Sequence, residues 1–160
     1  MLKKCIYLIG HINPNVPETY TWRNQVVDYF QDRIDVNIIN PCDSGFDTKL
    51  LEDGKEDPER LEAYKKKGIR LLVPKSFQSV EQSTLAIANL NMYDSKAPMI
   101  GTLYELAWYL NNPEKGVIGL FSEGSITTDP YCAHPFIAES VHVWTRSVNE
   151  ACRAVDNFYK

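Results

Sequence analysis

No stretch of this sequence approaches the ~20 consecutive apolar residues that a membrane-spanning helix needs. Two lysines precede the opening run "CIYLIG", but His11, Asn13 and Pro14 break it after about six residues, too soon for the core of a secretory leader. A cytoplasmic protein with no membrane partner is the expectation. Cysteine is sparse and scattered: Cys5, Cys42, Cys132 and Cys152 form no Cys-x-x-Cys pair and no Cys/His cluster, so no metal site and no dithiol redox motif is expected, only isolated reduced thiols. Positive charge is also lacking. A formal net charge of −4 argues against a protein that grips a nucleic-acid backbone, which requires a clustered positive field. The one dense basic run, Lys65-Lys66-Lys67, reads as the solvated end of a short helix, with a nucleic-acid patch as the alternative.

What is present is the composition of an ordinary globular domain. The 160 residues are 44% apolar and 24% charged, and a chain of this length buries roughly two-thirds of its unfolded surface. We therefore expect a single domain over residues 1–160. "CIYLIG", "IDVNIIN", "TLAIANL", "GVIGLF" and "VHVW" read as strands, the first, third and fourth as continuous apolar runs of the kind buried on both faces. "WRNQVVDYFQDR" after a Thr21 N-cap, "GTLYELAWYLNN", and "SVNEACRAVDNFY" with Ser147 and Glu150 as a capping box read as helices. Residues 42–67 form a polar excursion with a short helix from Pro58; "IRLLVP" is extended or helical, "SFQSVEQS" helical, and "SEGSITTDPYCAHPFI" loop-like. The alternation predicts a mostly parallel sheet covered by helices on both faces. In such folds ligands bind beyond the carboxyl ends of the strands, which selects the loops after Gly10, Leu90 and Phe121.

Chemistry-bearing residues gather at those positions. Gly101-Thr102 opens a helix whose first N–H groups could hold a phosphate or carboxylate, or could be a simple cap. Glu105 stands three residues after Thr102, as a capping-box partner would. It is also flanked by apolar residues, which would turn a carboxylate into the crevice as a nucleophile or base. Tyr7 and His11 flank the end of the first strand; a core tyrosine and an exposed histidine are the ordinary alternatives. Arg23 lies at the start of the first helix, where the dipole disfavours a cation, so either an anionic partner or an ion pair with Glu18 is expected.

"IYLIGHI", "TWRNQVV", "INPCD", "STLAIANLN", "IGTLYELAWYL" and "HPFI" before "SVNEACRAV", in that order through nearly the whole chain, resemble the nucleoside 2-deoxyribosyltransferase-like group. This group includes N-glycoside hydrolases of nucleoside 5′-monophosphates. The resemblance implies an α/β, flavodoxin-like three-layer fold with a five-stranded sheet, a nucleoside or nucleotide substrate, no cofactor, and homodimers or larger homo-oligomers with pockets near the interface. It implies that Glu105 attacks the anomeric carbon, that Tyr7 orients it, and that Gly10 lets substrate approach. Further substrate contacts would come from His11, Ile12, Arg23, Ser76, Asn89, Met99, Gly101, Thr102 and His134. His134-Pro135 matches a family segment near the pocket or interface, or is an ordinary turn. Trp108, Tyr109, Phe136 and Trp144 would serve the interface or the core.

Three positions depart from the group's pattern. Ser76 and Thr84 stand where aspartates are usual, the first of them assisting the leaving base, and Met99 replaces an aspartate six residues before the nucleophile. A hydroxyl is no acid near neutrality. Three readings follow: an enzyme whose proton comes from His11, Asp94 or a neighbouring subunit's carboxylate; a nucleotide hydrolase whose base leaves without strong acid assistance; or a nucleotide-binding or regulatory protein without turnover.

Overall fold

The apolar runs become the strands of one sheet. The computed structural model describes residues 4–13, 15–44, 58–93, 95 and 99–159. Among these, the order is β1 (Lys4–Gly10), α1 (Glu18–Phe30), β2 (Val36–Ile39), a 3-10 turn (Pro41–Ser44), α2 (Pro58–Gln82), β3 (Leu85–Asn89), α3 (Ile100–Leu110), β4 (Gly116–Leu120), α4 (Pro135–Ser140), β5 (Val143–Thr145) and α5 (Val148–Phe158). The strands pair in the order β2-β1-β3-β4-β5, and every pairing is parallel. This is the flavodoxin-like α/β arrangement.

Alternation along each strand divides the core. Ile6 and Leu8 of β1 meet Trp22, Val26 and Phe30 of α1 and Ala151, Cys152 and Val155 of α5. Tyr7 and Ile9 face the other way, toward Val80 of α2, Leu106 and Tyr109 of α3 and Ile137 of α4. Every residue of β3 and β4 is buried, because helices cover both faces there. The edge strands are short: β2 has 4 residues and β5 has 3. Gly10 lies opposite Asn89, and Asn89 opposite Leu120, so the carboxyl ends of the three inner strands finish level. The strand order reverses between β1 and β3, which puts the crevice there.

Several local expectations are corrected. Helix α1 begins at Glu18, not after Thr21, whose hydroxyl instead donates to Pro17 O at 3.0 Å from within the first turn. "IRLLVP" and "SFQSVEQS" belong to one helix of 25 residues that runs through Pro74, so the lysine run lies in its interior rather than at its end. A six-residue helix, α4, with Pro135 in its first turn, supplies the crossover to β5 where a loop was expected. At α5, Ser147 Oγ accepts from Glu150 N at 3.2 Å, but the Glu150 carboxylate returns to Arg146 N at 2.8 Å rather than to the cap residue itself.

Candidate functional site

The parity of β1 sends Tyr7 toward α3, where it is 1% exposed. On α3, Thr102, Glu105 and Tyr109 share one stripe by helical spacing, and that stripe faces the sheet. The two elements meet where Tyr7 OH donates to Glu105 Oε1 at 2.6 Å, 98 residues apart in sequence. Met99, not Thr102, occupies the N-cap of α3, and it makes no side-chain capping bond. Thr102 lies inside the first turn and is buried, so the capping-box reading of Glu105 fails. From α2, the Ser76 hydroxyl faces the Tyr7 phenol and lowers its pKa against the effect of burial. A phenol and a carboxylate from two elements thus form a bonded pair, with a serine of a third beside them.

Burial pushes the Glu105 carboxyl up to about 7, against the lowering effects of the Tyr7 hydrogen bond and the Arg23 charge. The Tyr7 phenol is raised far above its ordinary value, first by burial and then by the adjacent carboxylate. It is therefore the donor of the pair at neutral pH, and it favours the ionised form of Glu105.

The turn after β1 is built from the other face of the sheet. Arg23 is 0% exposed. Its Nη2 donates to Gly10 O at 2.9 Å, and its Nη1 to His11 O at 3.1 Å and to Thr19 O. The guanidinium lies 4.5 Å from the centre of the Trp22 ring. Neither expectation for Arg23 holds: it presents no charge at the surface for an anionic ligand, and among the described residues no carboxylate makes an ion pair with it. Gly10 is explained by the same packing. A Cβ there would stand 3.1 Å from Trp22 Cζ2, 3.2 Å from the main-chain Asn89 O and 3.4 Å from Arg23 Nη2, so the protein's own packing already leaves little room for a side chain. Among the described residues, His11 Nδ1, Trp22 Nε1 and Arg23 Nε are buried without a hydrogen-bond partner. Ile12 is half-buried in the same turn.

Asn89 is in the crevice but acts as a brace. Its Nδ2 donates to Tyr93 OH at 3.0 Å, and its Oδ1 accepts from Asn91 N at 3.0 Å and Asn91 Nδ2 at 2.7 Å. Asn91 Oδ1 in turn accepts from Ser122 N at 2.9 Å and Ser122 Oγ at 3.0 Å, tying the end of β3 to that of β4. Asn91 and Ser122 were not singled out from the sequence; two asparagines spaced by two at the end of a buried strand were the available signal. A cavity of about 250 Å³ lies beside this brace, lined by Trp22, Asn89, Asn91, Tyr93, Ser122 and Arg146 among others.

The remaining positions separate. Met99 is buried, and Gly101 is exposed in the first turn of α3, where an added Cβ would meet nothing within 4 Å. Thr84 lies just before β3 at the opposite end of the sheet, bonded to Tyr159 OH at 2.6 Å, so that departure is remote from the crevice. His134 is not with Glu105. It precedes α4, stacks on Phe136 at 5.8 Å, and lines an apolar groove of about 450 Å³ with Leu103, Leu106, Ala107 and Leu110, the face of α3 turned away from Glu105. Tyr109 is core and Trp144 packs against the core, whereas Trp108 and Phe136 lie outside with exposed Ile100, Leu103, Tyr104 and Leu110. Asp94 lies outside the described residues.

Among the described residues no three His, Cys, Asp or Glu side chains are grouped to hold a metal ion, and no helix is long and apolar enough to cross a membrane. No protein-family model matches the chain. No curated protein matches it either. Among solved structures, the crystal structure of a conserved protein from Enterococcus faecalis V583 is similar over 95% of this chain and 87% of that one, with 14% sequence identity and a TM-score of 0.47.

Proposed function

We propose that this protein cleaves or exchanges the N-glycosidic bond of (deoxy)nucleosides or nucleotides, with Glu105 as the nucleophile. The observation that supports the reading is the 2.6 Å bond from Tyr7 to Glu105 at the reversal of strand order, since it leaves one carboxylate oxygen oriented by a buried donor in a crevice. The sequence resemblance points to the same residue. In the reaction, the carboxylate attacks the anomeric carbon, the bond from that carbon to the base breaks, and the base departs with the bonding pair and takes up a proton. A glycosyl ester remains on Glu105. Attack on the anomeric carbon by water, with loss of a proton, or by a second base then restores the carboxylate, which is retention by double displacement. A carboxyl group held at about 7 is a stronger base and a better nucleophile when ionised than an ordinary glutamate.

The protein would work as a cytoplasmic homo-oligomer, with the exposed apolar face of α3 and α4 as the natural contact surface. One observation favours a second reading, a nucleotide-binding protein without turnover. Ser76 stands at the position of the usual acid, and its hydroxyl faces Tyr7. The test is incubation with a panel of deoxynucleosides and their 5′-monophosphates, with and without an acceptor base, for the native protein and E105Q. Base exchange or base release by the native protein, falling on the order of 10⁴-fold in E105Q, supports the enzyme. Ligand-dependent thermal stabilisation without turnover in either protein means binding alone.

A further inference from the structure

Trp22 is 4% exposed, and among the described residues its indole Nε1–H has no acceptor. A buried donor left unmet costs about as much as a hydrogen bond contributes, so it marks a place where a bound group can supply the acceptor. The edge of the indole that carries Nε1 is turned to the strand ends. Its Cζ2, two bonds from Nε1, lies 3.1 Å from the point where a Gly10 Cβ would stand, and that point is 3.2 Å from Asn89 O. Trp22 and Asn89 are both walls of the cavity of about 250 Å³ beside the asparagine brace. This cavity lies in the layer of α1 and α5, whereas Glu105 lies with Tyr7 on the other face of the sheet.

Positive potential reaches the same cavity from the end of β5. Arg146 lines it, with Nη1 fixed on Phe121 O at 3.1 Å and Gly124 O at 2.8 Å. Those carbonyls orient the guanidinium without neutralising it, and among the described residues no carboxylate forms an ion pair with Arg146. Ser147 and Val148, also in the lining, are the N-cap and first residue of α5, an 11-residue helix whose opening N–H groups and dipole favour an anion. The Ser147 hydroxyl accepts from Glu150 N, which leaves the N–H groups of Val148 and Asn149. Tyr93 OH accepts from Asn89 Nδ2 and so keeps its own hydrogen to donate. Two carboxylates stand nearby. Glu150 is engaged by Arg146 N at 2.8 Å, and Glu18, in the lining, is exposed at the first turn of α1, where water and salt screen it.

We propose that this cavity is a second ligand site, which takes a small molecule through one oxyanion, a carboxylate or a phosphate, held by Arg146, the Trp22 indole N–H and the first N–H groups of α5. The site is separate from Glu105 and does not depend on that residue acting on a sugar.

The test reads the Trp22 indole N–H by proton–nitrogen NMR of the native protein, with its resonance assigned through bonds. Inorganic phosphate and acetate are titrated at constant ionic strength, chloride being the balancing ion. At least one of the two is expected to move the Trp22 signal saturably; tighter binding of phosphate identifies a phosphate group as the ligand's anion, and of acetate a carboxylate. In R146Q the affinity falls roughly tenfold or more, the loss expected for a hydrogen bond to a charged group, while E105Q binds as the native protein does. A Trp22 signal that neither probe moves overturns the proposal, and so does a shift that R146Q leaves intact. A shift that disappears in E105Q also overturns it, because the anion then sits at Glu105. Should R146Q not fold, the Arg146 Nε–H signal of the native protein takes its place: it is expected to move with the same midpoint as Trp22, and a flat signal overturns the proposal.

Discussion

The two ends of the sheet treat polar groups in opposite ways. At the amino end polar side chains close on the backbone and on one another. Lys115 Nζ donates to Val80 O at 2.8 Å, Glu81 O at 3.0 Å and Ser83 O, covering the last carbonyls of α2, where the helix dipole favours a cation. Ser83 Oγ donates to Val80 O at 2.7 Å and meets Tyr109 OH, and Thr84 is tied to Tyr159. At the carboxyl end, His11 Nδ1, Trp22 Nε1 and Arg23 Nε are buried with no partner among the described residues, and a carboxyl group is held far from its ordinary pKa. Among the described residues, hydrogen-bonding capacity is spent at one end and left over at the other, the arrangement expected where strand ends carry the chemistry.

The largest effect that sharpens this contrast is in pH dependence. Because the folded Glu105 pKa of about 7 lies above the ordinary value of 4.5, the folded state holds a proton that the unfolded state has lost between those two pH values. Its contribution is fully present below about 4.5 and declines as pH rises through 7, by up to about 3 kcal/mol. Urea unfolding from pH 4 to 8 should show this decline in the native protein and its loss in E105Q; parallel curves would break the comparison. Next comes the amino end. K115M should cost about 2 kcal/mol in the same assay, through three uncovered carbonyls and a lost dipole partner, while leaving the Glu105 titration unchanged. A displaced Glu105 midpoint in K115M would mean that the ends are coupled. The smallest effect is at Gly101. G101A should raise stability by about 0.5–1 kcal/mol, since the new methyl has open space and helical backbone. If ligand lies against the first turn of α3, its affinity falls in the same variant; unchanged affinity removes Gly101 from the site.

The sheet was readable because burial on both faces leaves a continuous apolar run, as in β1, β3 and β4. Helix α2 was not, since a lysine run and Pro74 interrupt the periodicity that marks a helix and only the fold carries it through both. Pro135 was a start signal for α4, obscured by a helix too short to show a period. At the site, Glu105 stood out as a carboxylate among apolar residues, but whether it capped a helix depended on a start shifted by three residues, finer than sequence patterns resolve. Arg23 was beyond sequence reading altogether. Its position at a helix start says nothing of a guanidinium that turns back over the end of a strand.

The taper of the sheet bears on how this chain keeps its own company. Exposed strand margins are templates on which another chain can add hydrogen bonds, and here both margins are the shortest strands, of 4 and 3 residues. A passing copy finds few consecutive amides to pair with. Misassembly by strand addition, the usual route from a β-rich domain to fibrils, is blunted by geometry.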